Sequence, residues 1–336
     1  VSGSADLAVD FGSSTIRVSA RARGLVLEIP SAIATRPGAG GPEVVAIGKP
    51  ARRMLGRTPA DIKVVRPVRN GVVVDFPMAE ALLREAIGSS GYRSFRRPRV
   101  LVAVPSGTTE VERRAILEVV RAAGARHVQL VSTSMCAAIG AGIPVTEPSA
   151  SLLVDVGGGR TDVGIVSLGG LVVRRSLPVA GSAFDTAIAT WVRRNHNLLI
   201  GDATAEAVKW RVGTAADVGD PRTMRIRGRD LPTGAPREID ITTEDTAEAL
   251  AEPVTRCRQI VLDALREAPP EVAGDIHDRG LVLCGGGSAL NALDRVLSDA
   301  THLPVLTPDL PERAVALGAA RLLEDDDLLE AVSHSH

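Results

Sequence analysis

Short apolar runs that stop at an acidic residue and a glycine set the pattern of the chain. Leu7-Ala8-Val9 ends in Asp10, then Phe11 and a turn of Gly12-Ser13-Ser14-Thr15, and Ile16-Arg17-Val18-Ser19 re-enters strand-like alternation. Residues 152–161 repeat the device: Leu152-Leu153-Val154-Asp155-Val156 runs into Gly157-Gly158-Gly159-Arg160-Thr161, and Val163-Gly164-Ile165-Val166 follows. After each, a glycine turn leads into a third apolar run, at 25–28 and 171–174. Both copies predict tight antiparallel hairpins, and their repetition predicts a duplicated domain facing a shared cleft.

Between the copies, Arg99-Val100-Leu101-Val102-Ala103-Val104 reads as a buried strand ending at Pro105. Residues 109–123 carry helical spacing behind a Thr108 or Thr109 cap and an acidic first turn, 127–131 read as a strand, and 135–142 begin a small-residue helix. Pro144 and Pro148 mark the crossing into the second half. There, 182–194, 203–212 and 246–268 pattern as helices, and 213–245 as polar and turn-rich with a hairpin near 231–234. A third glycine element follows the apolar run 281–284: Gly285-Gly286-Gly287-Ser288-Ala289, with helical spacing over 291–297, a strand at 304–306 and a closing helix at 314–323 that the acidic run 324–327 ends. This order predicts an α/β protein of two lobes. Lobe I takes residues 1–145 plus 313–336, with a small insertion at about 30–75. Lobe II takes 146–312, with an insertion at about 182–250.

Composition changes the picture in three places. With 45% hydrophobic residues but only 2% aromatic, the 336-residue chain can bury a core, and that core must be aliphatic. Lys+Arg 39 against Asp+Glu 40 gives no basic field, so a nucleic-acid partner is not expected. Cys136, Cys257 and Cys284 lack any CxxC spacing, which excludes a disulfide framework and argues against a zinc site. No apolar run reaches the roughly 20 residues of a membrane span. The opening VSGSADLAVDFG lacks a charged leader and an apolar stretch behind it, so a cytoplasmic protein is expected.

The glycine turns carry the candidate chemistry. Glycine lets backbone N–H groups converge on a phosphate, and Ser13, Ser14 and Thr161 add hydroxyl donors. Asp10 and Asp155 would repel phosphate directly, but from opposite lobes they suit a hydrated Mg²⁺ that bridges to it. One such turn alone is better read as an ordinary hairpin; two matched copies favour phosphate. The third glycine turn, ahead of a helix, then suits a ribose or base edge.

Together these residues resemble the actin/Hsp70/sugar-kinase ATPase superfamily, and within it the bacterial actins of the MreB/Mbl family. The carriers of the closer resemblance are Ala51-Arg52-Arg53-Met54-Leu55-Gly56-Arg57-Thr58-Pro59, Arg66-Pro67-Val68-Arg69-Asn70-Gly71-Val72, Pro105-Ser106-Gly107-Thr108-Thr109-Glu110-Val111-Glu112-Arg113-Arg114-Ala115, Ala137-Ala138-Ile139-Gly140-Ala141-Gly142 and Asn197-Leu198-Leu199-Ile200-Gly201. The resemblance implies an actin-like ATPase fold, two duplicated RNase H-like lobes with inserted subdomains around a nucleotide cleft. It also implies ATP or ADP with Mg²⁺, and self-assembly into filaments at the inner face of the cell membrane that organise cell-wall synthesis machinery. By position it makes Gly12, Ser13, Ser14 and Thr15 the first phosphate loop and Gly157, Gly158, Gly159, Arg160 and Thr161 the second. Asp202, Thr204, Glu206 and Lys209 then match the ribose and adenine contacts, and Gly285, Gly286, Gly287, Ser288 and Ala289 the adenosine loop.

Three departures from the family pattern stand in that cleft. Ser132-Thr133-Ser134 replaces a Glu-Glu-Pro whose second glutamate positions the attacking water. A hydroxyl is a poor general base, so Thr133 implies slow or absent hydrolysis, with Asp162 as a weak candidate to compensate. Arg160 replaces a threonine, where it either clamps a phosphate or crowds the loop, and Thr15 replaces an asparagine. A nucleotide-binding scaffold that co-assembles with an active paralogue is therefore a second reading. Chaperone or sugar-kinase ATPases are weaker ones, because residues 1–336 supply neither a further substrate domain nor a spare carboxylate base. Tyr92, Phe95, Arg96 and Arg97 lie in an arginine-rich loop that suits an anionic lipid surface. The alternative is a solvated loop with one aromatic tucked beneath it.

Overall fold

The computed structural model describes residues 6–92, 97–217, 219 and 221–333. Two five-stranded sheets repeat one topology. In lobe I, β1 (Leu7–Phe11), β2 (Thr15–Ala20), β3 (Gly24–Pro30), β4 (Arg99–Val104) and β5 (His127–Ser132) lie in the order β3-β2-β1-β4-β5. In lobe II, β6 (Ser151–Val156), β7 (Thr161–Ser167), β8 (Gly170–Leu177), β9 (Leu281–Cys284) and β10 (Val305–Leu306) lie in the order β8-β7-β6-β9-β10. Each sheet joins an antiparallel meander to two parallel strands. Strands β1, β4, β6 and β7 are almost wholly buried, which is why the sequences of β1, β4 and β6 are largely continuous apolar runs and not alternating ones.

The core is aliphatic in both lobes, with Phe184 the one aromatic among the largest fully buried side chains. Between the lobes, helices α1 (Thr133–Gly140) and α5 (Ala314–Glu324) cross. A methyl on Gly140 would fall 1.8 Å from the Ala314 carbonyl oxygen, and one on Gly318 would fall 1.7 Å from that of Cys136. Backbone therefore packs on backbone there, and only glycine allows it.

Each lobe carries a smaller outer sheet. That of lobe I joins strands Ile33–Gly38, Gly41–Ile47 and Lys63–Val65; that of lobe II joins Leu198–Leu199, Thr223–Asp230 and Pro236–Thr242. Helices α2 (Gly181–His196), α3 (Asp202–Val212) and α4 (Thr243–Glu267) support the latter. The polar stretch 213–245 is thus mostly a two-stranded ribbon whose turn spans 231–235. The helix at Glu110–Ala122 starts at a capping box, with Thr109 accepting from the Glu112 N–H and Glu112 accepting from the Thr109 N–H.

Three local expectations shift. Helix α1 begins at Thr133, two residues before the apolar spacing starts. The glycine turn 285–287 leads into a 3₁₀ turn, Gly286–Ala289, and the α-helix follows only at Leu293–Thr301, because Ala292 takes a left-handed conformation between them. The acidic run at 324–327 spans a junction of two helices, with Asp325 between the end of α5 at Glu324 and a further helix, Asp326–Ser333. The helices Phe76–Ser89 and Pro270–Arg279 complete the shell.

Candidate functional site

A cavity of about 330 Å³ opens between the lobes at the ends of β1 and β6. Its lining includes Asp10, Gly12, Ser13, Ser14, Thr15, Asp155, Gly157, Gly158, Gly159, Arg160, Gly285, Gly286 and Gly287, together with Thr133 and Asp162. The hairpin turns that looked alike in sequence face one another. A methyl on Gly158 would lie 2.6 Å from Ser14 Cβ, and one on Gly159 would lie 2.8 Å from Ser13 Oγ.

The first loop is braced from below and from the side. Ser31 donates its hydroxyl to the Gly12 carbonyl at 2.6 Å and its N–H to the Ser14 carbonyl at 3.0 Å. An Asn70-Gly71 turn, left-handed at both residues, tucks under Pro105 and donates the Gly71 N–H to Ser13 Oγ at 3.0 Å. Ser13 Oγ is thereby an acceptor toward the protein and keeps its own O–H for a ligand. The second loop closes by a Gly157 N–H to Arg160 carbonyl bond of 2.9 Å, and the start of α2 ties back to it through the Ser182 N–H on the Gly158 carbonyl at 2.7 Å.

The duplication places Asp10 opposite Arg17 across β1–β2, and Asp155 opposite Asp162 across β6–β7. This single difference sets the electrostatics. Arg17 pairs with Asp10 at 3.3 Å and with Glu28 at 2.9 Å, partly offsetting the upward push of burial on Asp10. Among the described residues no cation pairs with Asp155; burial first, then the charges of Asp162 and Asp10, raise it to about 8 against a weaker downward pull from Arg17. Asp162 is also raised by burial, against hydrogen bonds from Ser176 and from Thr133 Oγ1, the latter at 3.3 Å.

No group of three or more metal-ligating side chains is present among the described residues. A magnesium ion does not need one, since it keeps most of its waters and uses one or two carboxylates plus substrate phosphate. Asp155, buried and without a hydrogen-bond donor among the described residues, fits that use. Asp10 fits less freely because Arg17 holds it.

Several sequence-derived positions fall elsewhere. The Thr161 side chain is fully buried, donating to the Val179 carbonyl at 2.7 Å, and does not reach the cleft. Thr161 shares a strand face with Val163 and Ile165, an alternation that signals the lobe II core. Asp202 lines a second, adjoining cavity, and Thr204 lines neither. Ser288 caps its own turn by donating to the Gly285 carbonyl at 2.6 Å, and Ser288 and Ala289 stay outside the cavity lining. Glu206 and Lys209 do line it, but they do not pair with each other: Arg52 donates to both Glu206 oxygens at 2.7 Å, and Lys209 pairs with Asp185 at 2.7 Å. Arg160 spans the lobes, donating to the Asn70 carbonyl at 2.6 Å and to Ser176 Oγ. Of the three residues at 132–134 only Thr133 faces the cleft; Ser132 and Ser134 form a hydroxyl cluster with Ser106 at 2.7 and 3.1 Å.

In the arginine-rich loop, Phe95 and Arg96 lie outside the described residues. Arg97 is exposed, whereas Tyr92 is half-buried against the lobe I core with its hydroxyl 3.4 Å from Asp6 Oδ2. Tyr92 thus takes the tucked position and is not an exposed aromatic. Sequence reasoning missed Arg17, Arg52, Arg66, Ser182, Asp185 and Trp210, all of which line the cavity.

The family described as MreB/Mbl protein matches over residues 4–331. The chain belongs to the MreB/Mbl family. It is 45% identical over 327 residues to the cell shape-determining protein MreB of Escherichia coli strain K12, covering 96% of this chain and 94% of that one. Crystal structures of MreB5 of Spiroplasma citri superpose with TM-scores of 0.91 for the AMPPNP-bound form, at 32% identity over 99% of both chains, and 0.88 for the ADP-bound form, at 34% identity over 94% and 95%. The α/β, actin-like fold of this MreB/Mbl chain is that of those relatives. Among the described residues no helix is long and apolar enough to cross a membrane.

Proposed function

We propose that this MreB/Mbl chain binds ATP or ADP with Mg²⁺ between its lobes and polymerises, with itself or a paralogue, into filaments at the cytoplasmic face of the membrane. There it would organise the cell-wall synthesis machinery and cell shape. The observation that carries the nucleotide part is the facing of the two loops across Asp10 and Asp155, in a chain similar throughout its length to MreB5 structures bound to ADP and AMPPNP. Loop N–H groups and the free Ser13 O–H supply donors to phosphate, and Arg66, which pairs with no carboxylate among the described residues, supplies positive charge. Magnesium, when bound, would neutralise phosphate charge beside Asp155.

Turnover is the step the site supports least. Thr133 offers a hydroxyl where a carboxylate would orient water, and Asp162 is engaged by Ser176, Thr133 and Arg160. That engagement favours a scaffold of low or no hydrolysis. Equilibrium binding of ATP with and without Mg²⁺, followed by phosphate release from the same sample, tests the reading: binding with little release is expected. Thr133→Glu should raise release by about tenfold or more; no gain would show that position 133 does not limit the rate. Absence of ATP binding would overturn the nucleotide reading.

A further inference from the structure

We infer that Trp210 forms an aromatic wall of the cleft on which the ligand's planar base stacks, so that this residue gives the site its preference for a nucleotide over a bare polyphosphate. The inference rests on the nucleotide reading above and assigns the base end of the same cavity.

Only seven aromatic residues occur in the chain, two of them tryptophan. The other tryptophan, Trp191, packs against the lobe II core. Trp210 belongs to none of the core clusters; it is 54% exposed and lines the cleft. An indole placed in a cleft and not in a core that is short of aromatics is available for ligand contact.

Its placement is held from two sides. Lys209 Nζ lies 5.6 Å from the Trp210 ring centroid and is itself fixed by Asp185 at 2.7 Å and by the Gly181 carbonyl at 3.0 Å, next to the second phosphate loop. Past the end of α3, the Ala215 N–H donates to the Asn291 carbonyl at 2.8 Å and Asn291 Nδ2 donates to Thr214 Oγ1 at 3.3 Å. Those bonds fasten the helix carrying Trp210 to the segment just after the 285–287 turn, which also lines the cavity. That turn presents only backbone, since a methyl on Gly287 would meet Val156 Cγ1 at 2.6 Å. A flat ring and a side-chain-free turn on one cavity suit a flat heteroaromatic ligand.

Stacking on an aromatic side chain changes base affinity by amounts that correspond to about tenfold. The test uses calorimetric titration of the full chain, in Mg²⁺ buffer, with ADP and with inorganic tripolyphosphate. Trp210→Ala should weaken ADP about tenfold, Trp210→Phe should stay within about threefold of the parent, and all three should bind tripolyphosphate alike. Quenching of tryptophan emission by ADP should disappear in Trp210→Phe, which keeps Trp191. Unchanged ADP affinity in Trp210→Ala, or an equal loss for ADP and tripolyphosphate, overturns the inference while the nucleotide reading stands. If the parent chain binds neither probe, both fall together.

Discussion

Asp155 shows how one cross-strand neighbour decides a residue's chemistry. Asp10 and Asp155 occupy equivalent strand ends, yet Arg17 faces the first and Asp162 the second. Burial and the added negative charge raise Asp155 to about 8. An acid raised in the folded state favours folding while protonated. Its contribution is therefore full below the ordinary carboxylate value of 3.8 and is lost as pH climbs through about 8. Without divalent cations, the parent should lose melting temperature over that window more steeply than Asp155→Asn, and Mg²⁺-nucleotide should recover part of the loss. Parallel pH profiles for the two proteins would refute this. Sequence showed the aspartates plainly, but the sign of the residue across the hairpin matters only once register is known.

At the scale of elements, the crossing of α1 and α5 is the most demanding contact. Glycine inside a helix ordinarily costs about 1 kcal/mol relative to alanine. At Gly140 and Gly318 the balance reverses, because an added methyl would fall 1.8 or 1.7 Å from a carbonyl oxygen of the facing helix. Gly140→Ala and Gly318→Ala should each destabilise by about 1–3 kcal/mol in urea unfolding, through forced separation of the helices. Stabilisation by either would show that the crossing is looser than described. Local signals also reached this scale unevenly. The Thr109 capping box and the paired hairpins are written in contiguous residues, so they were legible. The delayed helix after Ala292 was not, because a left-handed alanine carries no sequence mark.

For the molecule as a whole, contacts across the cleft mouth hold the lobes together: Arg52 on Glu206 and Arg160 on the Asn70 carbonyl. Arg52 is 45% exposed, so its ion pair adds little to global stability, within about 1 kcal/mol. Its position spans the two outer subdomains. Arg52→Ala should leave urea unfolding nearly unchanged while speeding release of a fluorescent nucleotide several-fold, since opening the cleft then breaks one contact fewer. Equal release rates would place the closing contacts elsewhere.

Sequence by itself determined the two hairpins, the α/β class, the aliphatic core and the family, because each is written in contiguous residues or in apolar period. The family resemblance also singled out Thr133 as the position to test for turnover. Only tertiary structure decided which loop residues face the cleft. Thr161 turns into the core while its neighbour Asp162 faces the site, and Glu206 and Lys209 take separate partners from distant segments. The cavity-lining Arg17, Arg52 and Trp210 lie outside any glycine turn. Long side chains reach partners that chain order does not bring near, so their roles follow from the packing of the lobes and not from local pattern.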